Sequence, residues 1–273
     1  MSKIRRRPGG FTLIELVMVL VILAAIAGLV IPQVAMLGRS ADMAATAKNA
    51  QDVANNIQLH FVQLKRYPQY MDSLVTTEST PDIYDPAKDY SGTDAPANES
   101  EQLTGLPISG PSLYADLAAG TVSNVSGGAQ WYRSFSRGGF DFVMDHSYAV
   151  TNSNNSATTS RALASGMTVA EVQSGSVVAK AIYPATAGVP PASERLVALG
   201  FGPSNSAIGK TTLQAPIYPG CDGKYYGRYI AIFKIYANGE RPTLCMVTDS
   251  YGRYPDYSIQ QFNESLPDGG RQG

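Results

Sequence analysis

The feature that most constrains this chain is a run without any charged residue, from Leu16 to Gly38. As a helix rising about 1.5 Å per residue, the run is long enough to cross the roughly 30 Å hydrocarbon layer of a membrane. A basic cluster precedes it, formed by Lys3, Arg5, Arg6 and Arg7. Basic residues that flank a span stay in the cytoplasm. The sequence therefore predicts a single membrane span with a cytoplasmic N-terminus.

Two features separate this segment from an ordinary secretory signal. The apolar run is longer than a signal sequence needs, and no small-x-small cleavage site follows it. A carboxylate, Glu15, also lies next to the run, where an unpaired charge in lipid costs about 2.5 kcal/mol or more. Cleavage between Gly10 and Phe11 would create an amino group four residues before Glu15. Pairing of this carboxylate with the new terminus of a neighbouring copy would favour a staggered helical assembly.

The residues Gly10-Phe11-Thr12-Leu13-Ile14-Glu15-Leu16 resemble the class III signal of type IV pilins and type II secretion pseudopilins. The resemblance implies that a prepilin peptidase cuts after Gly10 and that Phe11 is then N-methylated. It also implies that Glu15 is the assembly glutamate and that Pro32 is the proline that perturbs the helix, since proline removes one backbone donor. Residues 1–10 would then be a leader peptide. The alternative is a plain signal anchor with a chance glutamate.

A helical pattern continues beyond the apolar run, with apolar residues at three- and four-residue spacings. They are Ala47, Ala50, Val53, Ala54, Ile57, Phe61 and Leu64. The pattern predicts one helix from Phe11 to Lys65, of about 55 residues and roughly 80 Å. Residues 11–38 form its transmembrane and assembly half, and residues 39–66 form an amphipathic half that packs on a globular domain. Tyr67-Pro68 ends the helix.

Residues 67–273 are expected to form a periplasmic, pilin-like head with a long variable insertion at 76–160. Loop-forming residues dominate 76–128. The expected helices are Leu113 to Ala119 and Ser193 to Leu199, and the expected strands are Gln130 to Phe135, Phe140 to Met144 and Ser176 to Tyr183. The predicted fold class is α+β, a long N-terminal helix packed on a C-terminal antiparallel β-sheet.

The strongest hairpin signal is Asn238-Gly239, which lies between runs from Arg228 to Tyr236 and from Pro242 to Thr248. This turn would place Cys245 opposite Ile232. Both faces are apolar, so the hairpin is predicted to be central. One face carries Ile230, Ile232, Cys245 and Val247, and the other carries Ala231, Phe233, Leu244 and Met246.

Two segments are similar to the major pseudopilin of type II secretion. Arg66-Tyr67-Pro68 closes the helix as a similar triplet does there, and Asp249 begins a segment that resembles that family's final turn, with Ser250 and Tyr251 replacing its Pro and Trp. The resemblance implies a candidate calcium site at Asp249. Asp256 and the cluster of Asp82, Asp85 and Asp89 could supply further oxygen ligands, although solvated loop carboxylates look the same in sequence. Cys221 and Cys245 form either one disulfide or two buried thiols.

Other chemistry is not favoured. Gly209-Lys210-Thr211 lacks the upstream glycine of a phosphate loop, since Ser204 occupies that position, so a surface turn is expected. His60 and His146 are expected to be structural or exposed. The basic cluster holds four of the 21 Lys and Arg, which leaves 17 against 22 Asp and Glu, so no nucleic-acid partner is expected. No cofactor is expected except calcium.

The sequence thus predicts a non-enzymatic pseudopilin that is anchored in the inner membrane and assembles into a periplasmic or surface filament. The resemblance implies the prepilin peptidase, minor pseudopilins, an inner-membrane platform and an assembly ATPase as partners. A type IV pilin or minor pilin for adhesion, motility or DNA uptake is one alternative. A membrane-anchored binding or enzymatic domain that carries a prepilin-like leader is the other.

Overall fold

The computed structural model describes residues 13–76, 117–146, 159–218 and 228–249, and within the first helix the side chains at 29, 31–40, 42 and 43 are not described. The elements in chain order are α1 (Leu13–Leu64), β1 (Met71–Thr76), β2 (Leu117–Val122), α2 (Trp131–Arg137), β3 (Phe142–His146), β4 (Thr159–Ala162), β5 (Met167–Val172), α3 (Val177–Ile182), β6 (Glu194–Gly200), β7 (Ile230–Tyr236) and β8 (Thr243–Thr248). The chain divides into an N-terminal unit, Met1–Met43, and a C-terminal unit, Ala44–Gly273.

The predicted long helix is present, since α1 has 52 residues. It ends because Lys65 adopts a left-handed φ of 58° while its amide still donates to the Phe61 carbonyl at 2.8 Å. A left-handed residue at this position is a common way to stop a helix. Pro68 follows, and its missing amide donor prevents the helix from resuming.

Within the C-terminal unit, the predicted stripe of α1 packs into the main apolar cluster. Ala50, Val53 and Ile57 are at most 2% exposed, and they share this cluster with residues of the sheet. Leu64 is the exception, because it is 47% exposed at the last turn. The amphipathic half of α1 is therefore held by the burial of one face rather than by helix propensity.

Among the described residues the sheet has eight strands, and it is mixed rather than antiparallel as predicted. Strands β2, β5, β6, β7 and β8 follow one another in space and are antiparallel. The edge of β6 that pairs with β5 also pairs with β1, through Gly200 of β6 and Asp72 of β1. The mixed character arises because β1 and β3 run parallel, with β4 antiparallel to β3.

The predicted hairpin is confirmed as β7 and β8, with Gly239 at a φ of 73°. The turn sets the predicted register as far as Phe233 opposite Leu244, but Ile232 then pairs with Met246, so Cys245 is an extra residue in β8. Such a bulge exchanges the faces of the residues that follow it. The prediction that Cys245 lies opposite Ile232 is therefore wrong.

Because of the bulge, Met246 and Val247 lie on the opposite faces of the sheet from those predicted. Val247 belongs to the cluster of Ala231 and Phe233 on the α1 side, and Met246 packs with Ile232 on the other side. Strand β7 is central, between β6 and β8, whereas β8 pairs only with β7 among the described strands. The second face of the sheet packs on Val178 and Ala179 of α3.

Four of the expected local elements are wrong. The run expected to be a strand at Gln130 to Phe135 is helix α2, and the strand expected at Ser176 to Tyr183 is helix α3. The Ser176 hydroxyl caps α3 by accepting from the Ala179 amide at 3.0 Å.

In the other two cases the sequence predicts a helix and the structure has a strand. The helix expected at Ser193 to Leu199 is β6, which is paired on both edges and buried from Leu196 to Gly200. The helix expected at Leu113 to Ala119 overlaps β2, which pairs along its whole length with β5, and residues 113–116 lie outside the described residues. The expected strand at Phe140 to Met144 is confirmed as β3, two residues later.

Candidate functional site

Apart from Glu15, the first part of α1 is apolar on every side, and its described side chains as far as Val30 are exposed. Its large apolar side chains between Leu13 and Val30 are between 46% and 82% exposed. An ordinary surface helix of a soluble domain keeps one polar face, so a helix that is apolar all round needs an apolar environment on all sides.

Glu15 lies in the first turn of α1 and is exposed, among apolar neighbours on both sides in sequence. The unpaired amides at a helix N-terminus favour a negative charge in the first turn. The helix therefore accommodates this carboxylate at the end nearest the predicted cleavage site.

The remaining predicted N-terminal residues are only partly within the described range. Gly10 and Phe11 lie outside it, as does the basic cluster. The backbone of α1 continues through Pro32, whose side chain is not described. Among the described residues, no helix combines the length and the apolar character that a membrane crossing requires.

The triplet after α1 forms an aromatic junction in the core of the C-terminal unit. Tyr67 is 6% exposed, and its ring centroid lies 4.6 Å from that of Phe61, 5.4 Å from Phe140 and 5.0 Å from Phe233. Its hydroxyl donates to the Pro242 carbonyl at 3.3 Å and accepts from the Leu244 amide at the same distance. Tyr67 thus ties the end of α1 to the β7–β8 hairpin.

Two polar contacts hold the segment beside Tyr67. Arg66 forms an ion pair with Asp141, just before β3. The Gln69 side-chain oxygen accepts from the amides of Asp141 and Phe142 at 3.0 and 3.1 Å. The segment after α1 is therefore held by Tyr67 against the β7–β8 hairpin and by Arg66 and Gln69 against the start of β3.

The structure places Asp249 in the interior, directly after β8, with no exposed surface. Burial raises the pKa of Tyr229 to about 12, and the nearby Asp249 carboxylate adds to this increase. Asp256 lies outside the described residues. Within the described ranges, no group of three or more His, Cys, Asp or Glu side chains is arranged to hold a metal ion. The calcium site stays a prediction.

Cys245 lies in the β8 bulge, half-buried against the cluster that contains Ile230 and Ile232, and it forms no disulfide with another described residue. Burial raises the pKa of this thiol, which disfavours the reactive thiolate. Cys221 is outside the described residues, so the predicted disulfide is not tested.

His60 is a buried residue of α1, at 2% exposure. Its Nδ1 lies 2.9 Å from the Arg66 carbonyl, so Nδ1 carries the proton in the neutral ring. Its Nε2 is buried and has no hydrogen-bond partner among the described residues. Burial lowers the pKa of His60, and the nearby positive charge of Lys210 lowers it further. This arrangement fits the structural role that was expected.

The Gly209-Lys210-Thr211 segment forms a turn, as expected. The amides of Lys210 and Thr211 both donate to the Ala207 carbonyl at 3.0 Å, and Gly209 has a φ of 76°. These amides are used within the turn and do not form a phosphate cradle.

A polar cavity was not predicted. It has a volume of about 320 Å³ and lies where β5 and β6 stop pairing, beside α2. Trp131 and Arg195 contribute to its wall, with the guanidinium carbon 5.2 Å from the indole centroid. No sequence pattern indicates it, because the sequence predicts a strand at Trp131 and a helix at Arg195.

The family model of the prokaryotic N-terminal methylation motif matches residues 5–31, which is the class III signal and the start of the apolar helix. Comparison with curated proteins and with solved structures gives no match. The motif supports a type IV pilin-like or pseudopilin protein. It implies processing by a prepilin peptidase, methylation and pilus-type assembly, and it suggests membrane anchoring.

Proposed function

We propose that this chain is a structural subunit of a type II secretion pseudopilus, polymerised through its N-terminal helix to drive protein export. The observation that carries the proposal is the methylation motif at residues 5–31 leading into a helix whose apolar side chains are exposed from Leu13 to Val30. Such a helix is stable only in lipid or among similar helices. A subunit that moves from a membrane into a filament meets both environments.

In this mechanism, cleavage after Gly10 frees the amino group of Phe11 close to Glu15. A carboxylate in an apolar medium costs about 2.5 kcal/mol or more if it is unpaired. Pairing Glu15 with the terminal amine of an adjacent copy would offset this cost and would set the stagger between subunits. Methylation of a primary amine leaves it basic, so the positive charge is retained.

The proposed precursor sits in the inner membrane, with its basic leader in the cytoplasm and its C-terminal unit in the periplasm. The prepilin peptidase, the minor pseudopilins, an inner-membrane platform and an assembly ATPase are its proposed partners. We assign it no catalytic role and no nucleic-acid partner.

The segment that follows α1 favours a pseudopilin. Arg66-Tyr67-Pro68 resembles the triplet that closes the helix in the major pseudopilin, and Tyr67 is the aromatic residue that joins α1 to the hairpin. A type IV pilin is the second candidate, because it would carry the same N-terminal motif. Deletion of the gene separates the two: a pseudopilin mutant retains exported cargo in the periplasm, whereas a pilin mutant loses surface fibres and exports normally.

Substitution of the cleavage glycine tests the processing step. We expect the Gly10→Ala precursor to remain uncut, with its full leader detected by gel shift and by mass spectrometry. Gly28→Ala is the matched control, because a Cβ at Gly28 would meet no atom within 4 Å. Normal cleavage of Gly10→Ala would contradict the assignment of the peptidase site.

Substitution of the glutamate tests the assembly step. We expect Glu15→Val to be processed normally but to yield far fewer filaments in sheared fractions and by electron microscopy. The control is Asp52→Val, which removes an exposed carboxylate whose ion pair with Lys48 at 2.9 Å contributes little. Equal filament yields from Glu15→Val and the wild type would refute the electrostatic pairing.

A further inference from the structure

His60, near the end of α1, is buried in an arrangement that suits only the neutral ring. The side chain is 2% exposed, and its Nδ1 donates to the Arg66 carbonyl at 2.9 Å. Its Nε2 is buried without a hydrogen-bond partner in the part of the chain that the structure describes. A second proton on Nε2 would therefore add a buried donor that has no acceptor, which is unfavourable.

The charged groups around His60 do not compensate for this proton. Burial lowers the pKa of His60 most, the hydrogen bond to the Arg66 carbonyl raises it by less, and the positive charge of Lys210 lowers it again. The Arg66 guanidinium is itself positive and is paired with Asp141. A buried charge without a partner is costly, so protonation of His60 would destabilise the packing that covers the ring.

The segment 205–212 lies on the side of His60 where Lys210 is found, and a small number of contacts hold it to the end of α1. The Ser206 amide donates to the Gln69 carbonyl at 3.0 Å, and the Ser206 hydroxyl accepts from the Gln69 amide at 2.8 Å. Ala207 is fully buried in the main apolar cluster. These two hydrogen bonds and one small side chain are the main links that an opening would break.

Most hydrogen bonds of this segment are internal. The amides of Lys210, Thr211 and Thr212 donate to the Ala207 carbonyl at 3.0, 3.0 and 3.2 Å, and the Gly209 amide donates to the Thr212 carbonyl at 2.7 Å. The segment can therefore move as a unit without breaking a pair of strands. Local openings of this kind cost less free energy than unfolding of the whole domain.

We propose that His60 is a proton-sensitive latch: acid protonates the ring and releases the 205–212 segment from the end of α1. In the closed state the ring is neutral and covered. In the open state water solvates both ring nitrogens, so the imidazolium ion is stable. The ring takes its proton from the solvent and returns it when the pH rises. This inference does not rest on the proposed filament role, and either can fail without the other.

Hydrogen–deuterium exchange of the full chain in a zwitterionic detergent tests the latch. Exchange is followed by mass spectrometry with fragmentation to single amides at pH 7.5 and 5.5, and the rates are corrected for the pH dependence of the chemical exchange step. The amides of Ser206 and Gln69 report the opening, because their hydrogen bonds cross the junction. With the usual pKa of 6.5 in the open state, the opening equilibrium should rise up to about tenfold between these pH values.

Three variants identify the group that responds to acid. His60→Gln should abolish the rise, because an amide side chain does not titrate. Lys210→Gln should reduce it, because this change removes the positive charge that opposes protonation. Lys48→Gln is the matched control, since Lys48 is an exposed lysine of α1 that pairs with Asp52, and it should keep the full rise.

Low concentrations of urea distinguish local opening from unfolding of the whole unit. Exchange of the Ser206 amide should depend little on urea up to about 1 M, because a local opening exposes little surface, whereas the amides of the central strand β7 should exchange steadily faster. Equal urea dependence of these amides would overturn the latch. Equal corrected rates at the two pH values in the wild type, or the same rise in His60→Gln, would also overturn it. An undiminished rise in Lys210→Gln would overturn the proposed repulsion between Lys210 and His60.

Discussion

Truncation of Tyr67 is the sharpest test of how the C-terminal unit holds the end of α1. The ring stacks on Phe61 and Phe140 and meets Phe233 edge-on, and it is 6% exposed. Removing a buried aromatic ring loses its transfer free energy and leaves a cavity, which together cost about 3 to 5 kcal/mol. We expect Tyr67→Ala to reduce the free energy of unfolding by this amount.

Tyr67→Phe separates the ring from the hydroxyl. It keeps the aromatic contacts and removes only the hydrogen bonds to the Pro242 carbonyl and from the Leu244 amide, so the expected cost is about 1 kcal/mol. Tyr236→Phe is the matched control, because its hydroxyl contacts Thr243 in an exposed position. Its expected cost is within about 0.5 kcal/mol.

Urea unfolding of the full chain, followed by the fluorescence of Trp131, measures all three variants, since this tryptophan packs against the same cluster as Tyr67. The order of stability should be wild type and Tyr236→Phe, then Tyr67→Phe, then Tyr67→Ala. A loss of less than about 1 kcal/mol for Tyr67→Ala would refute the claim that this ring joins α1 to the hairpin.

Two further predictions concern pH and the hairpin. Burial lowers the folded-state pKa of His60 below its usual 6.5, so the folded protein binds fewer protons than the unfolded chain and its stability should fall as the pH drops below about 6.5. The urea midpoint should therefore fall more between pH 7.5 and 5.5 for the wild type than for His60→Gln, and identical shifts would contradict this. Gly239→Ala should cost about 1 kcal/mol or more in the same assay, because its φ of 73° strains a residue with a Cβ, whereas an unchanged midpoint would show that the turn relaxes freely.

The long helix and the hairpin could be predicted because each has a strong local signal. The uncharged run and the apolar stripe to Phe61 define α1, and Asn238-Gly239 defines the turn. The bulge at Cys245 could not be predicted, because it depends on how β8 packs on both of its faces. One extra residue was enough to exchange the faces of Met246 and Val247.

The middle of the chain was mostly misassigned because its elements are short and are decided by tertiary contacts. A run such as that of β6 is apolar enough to be a helix or a buried strand, and its pairing with β5 and β7 decides the outcome. Strands β1, β4 and β5 were missed for the same reason. The polar cavity needs Trp131, Glu171 and Arg195 from three elements, so no linear pattern could indicate it.

The most direct test of the central claim is the N-terminal mass of the protein extracted from cells. If cleavage creates the amine that pairs with Glu15, the mature chain begins at Phe11 and carries one added methyl group. A protein that begins at Met1 or Ser2 would contradict both the processing and the assembly mechanism.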